Sequence, residues 1–266
     1  MTRAAVAFLA GSPDRLALLD YLAEQPGAPR DVADALDISS RSAQRNCAEF
    51  TERGWAEKRE GDYHLTTRGH LVRRTYADCL DRLERIDDLA GFYDYVSDPG
   101  DVTGPDTVPD PSWLDEATLV TTEQSHPQAP VTHYVDAIRT LDAEEVRMVS
   151  PVLSRIFERP HAELVRRGAT TELVLPTDRV AAAREQNPAK FATVLAVPSF
   201  TLYETDDAVE FGVTVVDDRT FVLAYDTDGR VRACLDGSDA DLTSWALDRF
   251  ERLRERATEL EHTGLF

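Results

Sequence analysis

Lysine is almost absent from this chain: of 29 basic residues only Lys58 and Lys190 are lysines, and the rest are arginines. Against them stand 49 carboxylates, aspartate more often than glutamate, for a net charge of −20. An acidic, lysine-poor surface fits a salt-rich cytoplasm, where charge repulsion is screened within about 3 Å at molar ionic strength. The other reading is an ordinary acidic protein from a GC-rich genome. Cysteine is scarce as well. Cys47, Cys79 and Cys234 are far apart, odd in number and without a CxxC spacing, which excludes a disulfide framework and a zinc site. Cys47 falls on the apolar face of an expected helix and reads as a buried free thiol. No apolar run approaches the ~18 residues of a membrane span. The opening stretch MTRAAVAFLAGSPDR is too short and weakly flanked for a signal peptide. The expectation is a soluble, cytoplasmic protein with no membrane partner. Its 266 residues, 42% of them hydrophobic, suffice for two domains or one large one.

Catalytic motifs are equally lacking. Gly237-Ser238-Asp239 lacks the second glycine of GxSxG, and neither a Walker loop nor GxGxxG occurs. His126, His133 and His161 never adopt a metal-ligand spacing such as HExxH. A phospholipase-type HxK is missing too, since Lys190 is the only lysine of the second half and Pro188 stands two residues before it. No catalytic residue, metal or cofactor is expected, and the chain is not read as an enzyme.

What is present begins with apolar periodicity. Leu16, Leu19, Tyr21 and Leu22 make the buried stripe of a helix over 14–25, which Pro26-Gly27 ends. A second helix starts near Arg30 and buries Val32, Ala33 and Leu36. Asp37-Ile38-Ser39 forms a tight turn, with Ile38 in the core and Ser39 as N-cap. A third helix runs from about 40 to 53. At about 100° per residue, Ala43, Cys47 and Phe50 share one side, while Arg41, Gln44, Arg45 and Ala48 share the other. After Gly54, residues 55–59 read as a strand, Gly61-Asp62 as a turn and 63–65 as a returning strand. Thr66 or Thr67 then caps one long helix over about 67–96, apolar at Leu71, Val72, Tyr76, Leu80, Leu83, Ile86, Leu89, Phe92 and Tyr93. Such a helix suits a linker and dimer contact.

Residues 97–112 contain Pro99, Pro105, Pro109 and Pro111 with little that is apolar, and mark the domain boundary. Beyond it strands are expected near 119–123, 146–151 and 171–176, with helices over 130–141, 152–167, 178–186 and 188–195. Strands follow at SFTLYE, EFGVTVVD, TFVLAYD and VRACLD, the last after an Asp228-Gly229 turn, and a helix over 239–262 closes the chain. Strand–helix alternation followed by meandering strands predicts an α+β protein: a winged helix-turn-helix (1–66), a linker helix (67–96), a loop (97–116) and an α/β sandwich around a single mixed sheet (117–266).

The turn and third helix (ISSRSAQR), FTERGW and GDYHLTTRG resemble archaeal winged-helix regulators of the ArsR/MarR/TrmB kind. SPVLSRIFER, TELVLPTDRV, VEFGVTVVDDRTFVLAYDTDGRV and SWALDRFERLRERA resemble the effector domain of archaeal methanogenesis-type (Fil) regulators, also widespread in haloarchaeal regulators. The resemblance implies transcriptional regulation and a homodimer, but no particular effector.

For DNA contact, Arg41, Gln44 and Arg45 are the base-reading candidates, because arginine matches guanine O6/N7 and glutamine adenine N6/N7. Ser39, Ser40 and Ser42 can meet phosphates at the helix start. Lys58, Arg59 and His64 flank the wing turn. Residues 39–74 hold eight Lys/Arg against five Asp/Glu, a local excess in a strongly negative chain. The competing reading makes these solvated residues of a winged helix used for protein pairing. For ligand sensing, strand ends nominate Glu123 and His126, Ser150, and Thr177, with Arg155 or Arg179 to hold an anionic metabolite. The alternatives there are ordinary turn and cap residues, or a ligand-free protein-interaction module.

Overall fold

The computed structural model describes residues 2–96 and 108–260. The chain divides into two compact units, Met1–Glu84 and Arg85–Phe266.

The first unit comprises α1 (Thr2–Ala10), α2 (Asp14–Glu24), α3 (Pro29–Leu36), α4 (Ser40–Glu52), the hairpin β1 (Ala56–Arg59) and β2 (Asp62–Leu65), and most of α5 (Thr67–Asp88). Proline at N1 suits the start of α3, and Asp37 closes it in the left-handed region at φ 51°. Leu18, Leu19, Leu22, Val32, Cys47, Phe50, Trp55 and Tyr63 form the core. Helix α1 was not foreseen. It buries Leu9 and sets Phe8 edge-on to Phe50, with ring centroids 6.1 Å apart, while the guanidiniums of Arg15 and Arg53 stack on Phe8 at 4.0 and 4.1 Å. The short apolar stretch at the start of the chain is therefore part of this core.

Thr66 is the residue that caps α5: its Oγ1 accepts from the Gly69 amide at 3.1 Å and donates to the Gly54 carbonyl at 2.8 Å. Helix α5 comes so close to the α4–β1 turn that a Cβ at Gly69 would lie 2.0 Å from the Trp55 carbonyl oxygen. Gly69→Ala is expected to cost about 1–3 kcal/mol, because backbone rather than a flexible side chain must move. Denaturant unfolding tests this, and a variant as stable as the parent would show that the helix can shift freely.

The long helix expected over 67–96 is in fact two, α5 and α6 (Ala90–Val96), separated at the buried Leu89. Leu89, Phe92 and Val96 all enter the core of the second unit, at the i, i+3, i+7 spacing of one helical face. Leu71, Leu80, Leu83 and Ile86 of α5 stay exposed. Of the loop expected over 97–116, residues 97–107 lie outside the described residues. Pro111–Leu114 forms a 3-10 turn that buries Leu114.

The second unit continues with β3 (Thr118–Thr121), α7 (Ala129–Thr140), β4 (Glu145–Val149), α8 (Arg155–Arg167), β5 (Thr170–Pro176), α9 (Thr177–Gln186), α10 (Pro188–Leu195), β6 (Phe200–Thr205), β7 (Gly212–Val216), β8 (Arg219–Tyr225), β9 (Val231–Gly237), α11 (Ala240–Arg254) and β10 (Thr258–Glu259). One mixed sheet runs β10-β6-β5-β4-β7-β8-β9-β3. Strands β4, β5 and β6 are parallel because helices connect them, whereas tight turns make β7, β8 and β9 antiparallel. Tyr134 and Ile138 of α7, Leu164 of α8 and Val180 of α9 cover one face. Leu89, Phe92, Leu242 and Trp245 of α6, α11 and the residue between α5 and α6 cover the other. Both faces being covered explains the near-continuous apolar runs of β7 and β8.

The terminal helix stops at Arg254 rather than 262, and Thr258 and Glu259 pair with Glu204 and Tyr203 instead. The open edge of β6 offers backbone partners that outweigh local helix preference. Positions 261 and 262 lie outside the described residues.

Candidate nucleic-acid interface and ligand cavity

In α4 the Ser39 hydroxyl accepts from the Ser42 amide at 3.1 Å and caps the helix. Ala43, Cys47 and Phe50 are buried, and burial pushes the Cys47 thiol up to about 11, so it stays protonated and inert. Asn46 is buried as well, reached by Arg15 Nε at 3.4 Å; sequence reasoning missed this polar contact. Ser39, Ser40, Arg41, Gln44 and Arg45 are exposed and Ser42 is half-buried. Among the described residues Arg41 and Arg45 have no carboxylate partner, although Arg53 pairs with Glu49 and Arg73 with Asp20.

The β1–β2 hairpin turns at Glu60-Gly61, both with positive φ (52° and 109°), one residue earlier than the expected Gly61-Asp62. Two left-handed residues match the twist of the flanking strands, and Asp62 is thereby free to pair with Arg59 in the ladder. Lys58 lies over the Tyr63 ring at 5.5 Å, Arg59 is ion-paired with Glu57, and His64 is half-buried opposite Glu57.

In the second unit the six ligand candidates separate. Arg155 and Arg179 line one cavity of about 720 Å³, together with Tyr225 and the β8–β9 turn. Beside it, the Ser150 hydroxyl donates to the Val152 carbonyl at 2.7 Å, and Thr177, first in α9, donates to Asp206 at 2.8 Å. Both therefore have local structural partners. His126 lines a different cavity, of about 850 Å³, with His133 and Arg219. His126 Nδ1 is 3.0 Å from Ser125 Oγ, which in turn approaches Glu123 at 3.5 Å.

Two polar clusters were not anticipated. Asp236, nearly fully buried on β9, accepts from His133 Nε2 and from Arg219 Nε and Nη2, all at 2.7 Å. Hydrogen bonding to Asp236 raises the Arg219 pKa. Tyr134 Oη bridges His161 Nε2 at 2.8 Å and Thr214 Oγ1 at 2.9 Å in the interior. No spacing along the chain signals contacts between residues so far apart. Among the described residues, no group of three His, Cys, Asp or Glu could hold a metal ion, and no helix is long and apolar enough to cross a membrane.

Residues 127–256 match the family of the middle domain of the methanogenesis regulatory protein FilR1, and residues 3–88 match the HVO_A0261 N-terminal domain family. No curated protein sequence matches. Among solved structures, the chain is similar to TrmBL2, an archaeal chromatin protein described with a novel mode of DNA binding, at 12% identity and TM-score 0.42 over 98% of this chain and 100% of that one. It is also similar to Nuc, a phospholipase D family member from Salmonella typhimurium, at 11% identity and TM-score 0.44, covering 55% of this chain and 99% of that one. NucT from Helicobacter pylori stands at 10% identity and TM-score 0.44, covering 54% and 98%. The chain thus carries a domain similar to the FilR1 middle domain in its second unit and one similar to the HVO_A0261 N-terminal domain in its first.

Proposed function

We propose that the protein is a cytoplasmic, sequence-specific transcription regulator that binds double-stranded DNA as a homodimer and answers to a small-molecule effector. The observation that carries this reading is the exposed face of α4. In a chain where carboxylates outnumber basic groups 49 to 29, Arg41 and Arg45 flank Gln44 with no carboxylate among the described residues holding them. That leaves two guanidiniums and an amide for base edges in a major groove. Ser39, Ser40 and Ser42 sit where phosphates would lie, and Lys58, Arg59 and His64 lie on the hairpin that would flank the groove.

Residues 1–66 are the reader in this scheme, 67–96 the connection, 97–116 a loop and 117–266 the effector domain. Leu80, Leu83 and Ile86, three residues apart on α5, supply an exposed apolar face for a second copy. Candidate effector contacts are Glu123, His126, Ser150, Arg155, Thr177 and Arg179, of which Arg155 and Arg179 line one cavity and His126 the other. The dimer should protect two half-sites one helical turn apart, or a multiple of it. Footprinting in molar KCl tests this, and an operator left unprotected across the genome's promoter regions would end the proposal. Arg45→Ala should cost roughly 1–3 kcal/mol in operator affinity if it reads a base. Unchanged affinity would place Arg45 on a merely solvated face.

A further inference from the structure

We propose that the cavity along α7 binds a small aliphatic monocarboxylate, its carboxylate gripped by the free edge of the Arg219 guanidinium. That such a ligand acts as the effector rests on the regulator reading above; the binding itself does not.

The cavity, of about 850 Å³, follows one flank of α7. Ala129, Thr132, His133, Asp136, Ala137 and Thr140 recur along it at helical spacing. Tyr134, Val135 and Ile138 point the other way, into the core between helix and sheet. Arg219, the first residue of β8, lines the same space.

The hold on Arg219 sets the chemistry. Its Nε and Nη2, the side-on edge of the guanidinium, donate to the two oxygens of Asp236 at 2.7 Å each. The Phe221 ring centre lies 5.2 Å from its central carbon. Asp236 is nearly fully buried, and its Oδ2 also accepts from His133 Nε2 at 2.7 Å. A buried ion pair seldom stabilises more than apolar packing would. This one fixes the orientation of an arginine at a cavity wall, so that a ligand need not immobilise it. Only one edge is used. Nη1 and the second hydrogen of Nη2 form an end-on fork, and Nη1 has no hydrogen-bond partner among the described residues. With 35% of the side chain exposed, that fork is open to solvent.

Geometry and charge select the ligand. A planar fork matches a planar carboxylate through two parallel hydrogen bonds. A carboxylate on the end-on edge stands about 4 Å from the guanidinium carbon and about 7 Å from Asp236, so attraction exceeds repulsion. Among the described residues Arg219 is the one permanent cation lining the cavity, and Asp136 on its flank is engaged by Arg139 at 3.3 Å. A single negative charge suits this balance better than the roughly −1.5 to −2 of a phosphate monoester. Pro127, Ala129, Ala137 and the methyl groups of Thr132 and Thr140 give the walls an aliphatic character for the rest of the molecule.

Amide NMR of the full-length protein tests this with pentanoate, its uncharged counterpart pentanamide, acetate and inorganic phosphate, titrated at constant pH and ionic strength. Pentanoate should give saturable shifts centred on residues 126–140 and Arg219. Acetate, which lacks the chain, should bind about tenfold or more weakly, and pentanamide and phosphate should not saturate. Arg219→Lys keeps the charge and loses the fork, and should weaken pentanoate binding about tenfold. Thr132→Phe, at an exposed position of α7, leaves the Asp236 cluster untouched and should obstruct the cavity to a similar degree, whether or not the lysine variant folds. Linear, scattered shifts, binding of acetate, pentanamide or phosphate equal to that of pentanoate, or either folded variant binding as the parent does would each overturn the site. Footprinting of the same preparation separates the two readings. Saturable pentanoate binding without a protected operator keeps the site and removes the regulator, and protection without that binding does the reverse.

Discussion

Between pH 6.5 and 4, the protein is expected to lose about 3 kcal/mol of stability through His161 alone, at about 1.4 kcal/mol per pH unit. The ring lies on α8 with only 9% of its surface exposed. Nε2 meets Tyr134 Oη at 2.8 Å and Nδ1 has no partner among the described residues, none of which stabilises a second proton. Burial pushes the His161 pKa from its ordinary 6.5 down to about 4. The sign follows from proton binding. Below pH 6.5 the unfolded chain takes up a proton that the folded one refuses until about pH 4, so acid favours unfolding throughout this window. Above pH 6.5 the contribution is constant, and below pH 4 it falls no further. Denaturant unfolding of the parent and of His161→Gln across this range isolates the effect from the many carboxylates. The difference between the two curves should change by about 3 kcal/mol, and parallel curves would show that His161 is protonated in the folded state.

Asp236→Ala is expected to cost about 3 kcal/mol. Its side chain is 5% exposed and takes three hydrogen bonds from His133 and Arg219. Removing the carboxylate leaves a guanidinium and an imidazole beside an apolar sheet without their acceptor. Both are about a third exposed, at 35% and 29%, so water recovers part of the loss. Asp236→Asn, which keeps an acceptor, should cost less. Replacing Asp236 and Arg219 together by leucine should cost less than the sum of the single changes, because no charge is then stranded. Unfolding free energies of the parent, of Asp236→Ala and Asp236→Asn, and of the single and double leucine variants test the cluster, and a cost below about 1 kcal/mol for Asp236→Ala would mean that it is held mainly by solvent.

Elements whose hydrophobic period agreed with their final neighbours were legible in advance. Helix α4 buries Ala43, Cys47 and Phe50 as its spacing nominates, α3 buries Val32 and Ala33 with Leu36 half-buried, and α2 buries Leu19 and Leu22 but takes Leu18 into the core while Leu16 and Tyr21 stay half-buried; the strands from β4 to β9 lie where apolar runs alternate with turn residues. The mixed sheet with helices on both faces followed from that alternation. Misreadings arose where a distant partner outweighed local pattern. Helix α1 gains its place from Phe50 and Trp55, some 40 residues on; α5 and α6 part at the buried Leu89; and Thr258 abandons a helix for the edge of β6.

The candidate sites follow the same division. By itself, the sequence determined the exposed polar face of α4, because a single helix obeys one angular period whatever surrounds it. It also determined which residues stand at strand ends, since those ends are marked by local turn chemistry. Only the tertiary structure decided which of those ends share a cavity, bringing Arg155 and Arg179 together and leaving His126 with His133 and Arg219 elsewhere. It alone joined Asp236 to His133 and His161 to Tyr134. Such contacts depend on strand order and on which face each helix covers, and neither is a property of any one segment.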